Sequence, residues 1–131
     1  MKKSSNYIAA ILLLSAFLIF GCAKSKQKKL IGTWDVVKMG ADWPEMKYTF
    51  HDGDMLVIDI GSEKDTATYL VEEQLVLPRY FIQISGLNVD SIRTGTDGKF
   101  RIQKLTKKKL IIHRKYTVDG EDVYVRLEMT K

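Results

Sequence analysis

Few residues in this 131-residue chain combine in the way that chemistry requires. His51 is followed by Asp52 and Asp54, an imidazole and two carboxylates that would suit an acid–base pair or the beginning of a metal site. A metal site needs three or four converging ligands, and Asp52-Gly53 is a turn-forming pair. These residues therefore read more simply as a hairpin tip. His113 alternates with Ile112 on a strand-like run, which puts it on a surface. Lys107-Lys108-Lys109, with Arg114 and Lys115 close behind, is a basic cluster suited to an anionic lipid or polysaccharide, or to no more than a solvated turn. No Ser/His/Asp spacing, Gly-rich phosphate loop or paired-histidine helix occurs. The expectation is a protein that is not an enzyme and holds no metal or cofactor. One reactive group is left, the thiol of Cys22, the single cysteine, and one thiol allows no intramolecular disulfide.

The context of Cys22 gives it a role. Lys2 and Lys3 precede an apolar run of 13 residues from Ile8 to Phe20. As a helix that run is about 20 Å long, short of the roughly 30 Å hydrocarbon core of a bilayer, and its length fits the apolar region of a secretory signal. It ends in Ile19-Phe20-Gly21-Cys22, which resembles the lipobox of bacterial lipoproteins. The resemblance implies a diacylglycerol thioether on Cys22, cleavage after Gly21 and acylation of the new amino terminus. Residues 1–21 are then a signal peptide, and the palmitate-type chains on Cys22 make the membrane a partner, since two or more chains are needed for stable attachment. Ala23 and Lys24 lack the aspartate that marks inner-membrane retention, so the expected address is the outer membrane of a bacterial envelope.

Charge follows the same division. The chain carries a formal charge of +5, but Lys2, Lys3, Lys24, Lys26, Lys28 and Lys29 all precede Leu30, whereas every acidic residue follows it. Residues 22–29 read as a lipidated cysteine and a solvated basic tether, with no side chain large enough to bury a core. The domain from 30 to 131 is near neutral, which argues against nucleic acid as a partner.

Within 30–131 the dominant pattern is period-two alternation interrupted by turn residues, with no helical period of useful length after Phe20. Trp34 and Val36 share a face of the first run, Tyr48 and Phe50 of the second, and Leu56 and Ile58 of the third. Thr66 to Val71 is expected to turn through Glu72-Glu73-Gln74 into Leu75-Val76-Leu77, with Pro78 breaking the ladder before Tyr80 to Ile84. A short strand is expected near Asn88 to Arg93. Phe100 and Ile102 alternate with Arg101 and Gln103, Leu110 to Tyr116 follows, and Val123, Val125, Leu127 and Met129 face away from Tyr124, Arg126 and Glu128 in the last run. About eight sequential strands suit a sandwich or an up-and-down barrel; short hairpin links favour the meander, so the fold class expected is all-β, an antiparallel up-and-down barrel of about eight strands, closed so that no sticky edge is left.

Leu30-Ile31-Gly32-Thr33-Trp34 at the start, Tyr48-Thr49-Phe50 before an Asp-Gly turn and Arg126 on the last strand are similar to signature elements of the lipocalin and fatty-acid-binding superfamily, and to the lipocalin-like domains of bacterial lipoproteins. The resemblance implies that Trp34 closes one end of the barrel with Arg126 lying over its ring. Barrels of this size are filled by side chains or hold one small ligand. Tyr48, Phe50, Leu56, Ile58, Phe100, Ile102, Val123 and Val125 are the candidate ligand-facing residues, and an apolar lining admits only an apolar ligand; the same residues suit a packed core equally well. Trp43 and Met46, in the loop Ala41 to Met46, are either a lid or partner contact, or a cap on the core. Two functions follow: a membrane-anchored carrier of a small apolar ligand with an envelope role, or an interaction or inhibitor-type module that meets an envelope protein through its loops.

Overall fold

A computed structural model describes residues 23–38, 40–74, 76–77 and 79–131. The expected signal-peptide helix, Cys22, Leu75 and Pro78 lie outside the described residues. Eight strands run in sequence: β1 Gly32–Val36, β2 Lys47–Phe50, β3 Met55–Asp59, β4 Lys64–Gln74, β5 Arg79–Ser85, β6 Gly98–Leu105, β7 Lys109–Val118 and β8 Glu121–Thr130. Each pairs antiparallel with its neighbour, and β8 returns to β1 through Asp35↔Thr130 and Val36↔Met129, closing a barrel. The all-β meander expected from alternation is the fold.

Alternation decides which wall faces inward. Along β4, Asp65, Ala67, Tyr69 and Val71 are buried while Lys64, Thr66, Thr68 and Leu70 are exposed. A slip of one residue would turn this whole set inside out, so burial of one face pins the register. The inward residues of all eight strands join one apolar cluster that includes Trp34, Phe50, Tyr69, Ile82, Phe100 and Leu127. Against expectation, β4 continues through Glu72-Glu73-Gln74, whose partners are Phe81, Tyr80 and Arg79. Val76 and Leu77, expected on a strand, form the turn instead. Alternation is blind here because Glu72 and Glu73 make both faces look polar.

Two short helices were not legible as periodicity. Residues 23–30, expected to be a solvated tether as far as Lys29, are helical (α1). Ala, Lys, Gln and Leu are good helix formers, yet eight residues are too few to hold a helix alone in water. Leu30, fully buried, anchors it, and Gln27 Nε2 donates to Asp54 Oδ1 at 2.8 Å. The ammonium of Lys26 lies 5.1 Å over the Tyr80 ring. The second helix, α2 (Asp90–Thr96), replaces the strand expected near Asn88 to Arg93. Ile92 is its buried anchor, Leu87 packs beside it, and Arg93 pairs with Asp90 at 2.8 Å. Seven residues make less than two turns, which is too little for a period of 3.6 to register.

An up-and-down barrel sends alternate connections to opposite rims. One rim carries α1 and the β2–β3, β4–β5 and β6–β7 turns. The other carries the β1–β2 loop, the β3–β4 turn, α2 in the β5–β6 connection, and the β7–β8 turn.

Candidate functional site

The residues expected to face a ligand divide sharply. Tyr48, Leu56, Ile58 and Phe100 are 0% exposed and Phe50 1%. With no surface that a water molecule could touch, from outside or from within, these side chains border no void able to receive a ligand. Ile102 and Val125 are half-buried and packed against the same core, and Val123 is half-buried near the end of the β7–β8 hairpin. Met46 also packs against the core, while Trp43 is exposed in the β1–β2 loop, where its N–H donates to the Gly40 carbonyl at 3.1 Å. Trp43 is therefore neither a core cap nor the lid of a cavity bordered by those five side chains.

At the α1 rim, Trp34 is wholly buried, and its indole Nε1 donates to the Leu30 carbonyl at 2.7 Å. The expected cover, Arg126, is not there. It sits on the outward face of β8, opposite His113, with its Nη1 3.5 Å from Glu128 Oε2. The period of two puts position 126 on the opposite side of the wall from Leu127 and Met129, which do face Trp34's side. The cation over the indole is Lys131, 5.0 Å from the ring centroid, and its Nζ donates to the Ile31 carbonyl at 2.6 Å. Lys131 also crosses Gly32, whose φ of +130° and lack of Cβ leave room for the lysine stem.

At the α2 rim the main tie is Asp65, buried at the start of β4. Its Oδ2 accepts from the backbone N–H groups of Asn88 and Val89, both at 2.7 Å, and its Oδ1 from Thr66 N–H at 2.9 Å. The Val89 N–H holds this carboxyl below its ordinary value; burial opposes the shift, and the N–H groups of Asn88 and Thr66 assist it. Beneath α2, burial pushes the Tyr48 phenol up to about 12, a shift that the Thr96 side chain opposes. Arg114 turns inward from β7, donates to the Asp97 carbonyl and stacks on Phe100 and Tyr116, 5.2 and 4.6 Å from their centroids. A Cβ at Gly98, whose φ is +138°, would overlap its guanidinium.

The outer face of β4 to β8 is different in kind. Glu72, Phe81, Arg101, His113 and Arg126 stand in one cross-strand row, each in register with the next. With neighbouring strands about 4.8 Å apart, Phe81 to Arg126 spans about 14 Å. Lys99 reaches Glu72 at 2.8 Å and lies 4.9 Å over the Phe81 ring. Tyr124, 61% exposed, stacks obliquely on His113 with centroids 5.6 Å apart. Burial, then the charges of Arg101 and Arg126, hold the His113 imidazole below its ordinary value, so it is neutral at pH 7. Arg101 Nε is buried without a hydrogen-bond partner. Phe81, Lys99, Arg101, His113, Lys115 and Tyr124 border a shallow cleft of about 300 Å³.

His51 and its neighbours serve the β2–β3 turn. The His51 carbonyl accepts from the Tyr69 hydroxyl at 3.0 Å, and Asp52 Oδ1 accepts from Gly53 N–H. Among the described residues no three His, Cys, Asp or Glu side chains converge as metal ligands, and no helix is long and apolar enough to cross a membrane. Comparison with protein-family models, curated proteins and solved structures finds no match for this chain.

Sequence reasoning missed the Phe81–Arg101–His113–Arg126 row. Each residue looks like one polar or apolar member of its own alternating run, and only cross-strand register joins them. It also missed Asp65 and Lys131, although a carboxylate on the inward phase of β4 was a signal available in the pattern.

Proposed function

We propose that this chain is a lipid-anchored protein of a bacterial envelope whose barrel works as a non-enzymatic interaction module. The β5–β8 wall is its contact surface, and a protein presenting acidic and aromatic groups is its partner. The row Phe81, Arg101, His113, Arg126, with the exposed Tyr124 beside it, carries this reading: a shallow, partly apolar cleft lined by aromatic and cationic side chains. Arg and aromatic side chains are the residues that most often dominate binding at protein interfaces. Anchoring rests on Ile19-Phe20-Gly21-Cys22 at the end of an apolar run, and the outer-membrane address on the residues that follow it. The lipocalin resemblance now rests on Gly32-x-Trp34 without its arginine. A carrier of a small apolar ligand gains no support from an interior in which five of the eight candidate lining residues are at most 1% exposed.

A photo-crosslinker in place of Tyr124, in intact cells of the host, should give one discrete protein adduct that Arg101→Glu abolishes. An adduct indifferent to Arg101→Glu, or none, rules out the wall. A stoichiometric apolar molecule found by native mass spectrometry in the envelope-purified protein would restore the carrier reading instead.

A further inference from the structure

The two rims have opposite charge. The connections at the α1 rim, with α1 itself and Lys131, contain Lys24, Lys26, Lys28, Lys29, Lys107, Lys108 and Lys131 against Asp52 and Asp54. Those at the α2 rim contain Asp42, Glu45, Glu63, Asp90, Asp97 and Asp119 against Lys38 and Arg93. The lysines are distant in sequence, and folding gathers them: Ser25, Lys28, Lys29, Lys107 and Lys131 line one open cleft of about 460 Å³. One of the two aspartates on this rim, Asp54, is occupied by Gln27. The same rim carries an apolar point. Val76, 87% exposed, and Leu77, 45% exposed, form the β4–β5 turn, and Val76 is far more exposed than any other large hydrophobic residue described.

Lysines around a cleft and a protruding aliphatic turn on the same rim are the two components of an interfacial membrane contact. The cations meet lipid phosphates, each Lys near an anionic surface contributing about 1 kcal/mol, and the aliphatic tip enters the boundary of the acyl chains. A protein partner would have to match both a basic concavity and a projecting apolar tip; a bilayer with anionic headgroups presents both complements everywhere. We infer that the α1 rim is a membrane-docking face: the cleft between α1 and the β6–β7 turn takes the phosphate of an anionic phospholipid, and Val76 and Leu77 insert from the same rim. The acidic α2 rim, repelled by the same surface, points away. This deepens the anchored-envelope reading and rests on it for the acyl anchor, Cys22, which directly precedes α1 in the sequence.

The test uses the full acylated protein reconstituted on vesicles of phosphatidylcholine, with or without phosphatidylglycerol, whose acyl chains are brominated to quench tryptophan. Val76→Trp should be quenched strongly on the anionic vesicles, whereas the parent protein's signal, from Trp43 on the opposite rim and from Trp34, wholly buried and out of contact with lipid, should change far less. Lys28→Glu with Lys107→Glu, in the Val76→Trp background, should lower the ratio of docked to undocked protein at least about 25-fold, given about fivefold per lysine. Quenching of Val76→Trp no greater than in the parent, or equal quenching without phosphatidylglycerol, overturns the inference. Flotation with vesicles in high salt reads the acyl anchor separately. Quenching at low salt with loss of flotation at high salt would remove the anchor and keep the docking face.

Discussion

The two rims of the barrel are closed by the same kind of device and differ in what holds it. At each, a short helix lies against the core through one buried aliphatic residue, Leu30 in α1 and Ile92 in α2. At each, a cation crosses a glycine, Lys131 over Gly32 and Arg114 over Gly98. The α1 rim depends on aromatic burial: the indole of Trp34 donates to Leu30 and lies under Lys131. The α2 rim depends on a buried carboxylate that collects backbone N–H groups from the segment leading into its helix. The Trp34 contact itself does not titrate, whereas the Asp65 contact is lost in acid.

The largest effect should come from the aromatic closure. Trp34→Ala is expected to destabilise the barrel by about 4 kcal/mol, the usual cost of truncating a buried aromatic, measured by denaturant unfolding. A loss below about 1 kcal/mol would mean that α1 and Lys131 close the rim without it. Asp65→Ala should cost about 3 kcal/mol, since it removes two charge-assisted hydrogen bonds across 23 and 24 residues of sequence. Its pH signature has a definite sign. The folded carboxyl lies below the ordinary value of 3.8, so its contribution is complete above that pH and is lost as pH falls through the lower folded value. Melting temperature followed downward from pH 5 should therefore drop less steeply in Asp65→Ala than in the parent; parallel curves would assign the acid response elsewhere.

The two glycines sharpen the comparison at smaller scale. Gly98→Ala should cost about 2 kcal/mol through its left-handed backbone and displacement of a guanidinium held between Phe100 and Tyr116. Gly32→Ala, whose φ of +130° carries a similar backbone strain, should cost about 1.5 kcal/mol, because a lysine stem withdraws more easily than a wedged guanidinium. The reverse order would place the rigid closure at the α1 rim. Trp43→Ser, far from both closures, should change stability by less than about 0.5 kcal/mol.

Most of the barrel was legible because its information is local. Leu56 and Ile58 alternate with Val57, Phe100 and Ile102 with Arg101, and the Asp-Gly pairs punctuate the runs. The helices were not, since α1 has a single large apolar residue and α2 is shorter than two turns. The site was hidden for a different reason. Phe81, Arg101, His113 and Arg126 lie on four strands, and no feature of any one strand fixes how far its neighbour is shifted along it. The expected Trp34–Arg126 pair failed on phase alone, a strand's period of two placing Arg126 outside, while the lysine five positions later was free to fold back over the rim.

The link between Lys131 and Ile31 spans 100 residues, and β1 meets β8 through only two residue pairs in register. Contacts between such distant points form late, since the intervening chain must first be drawn together. The barrel therefore closes only once β8 is in place, and until then β1 is without its second neighbour. Closure of the β1–β8 seam is accordingly the slow, cooperative event of folding, since every other pairing in the barrel joins strands that follow one another in the chain.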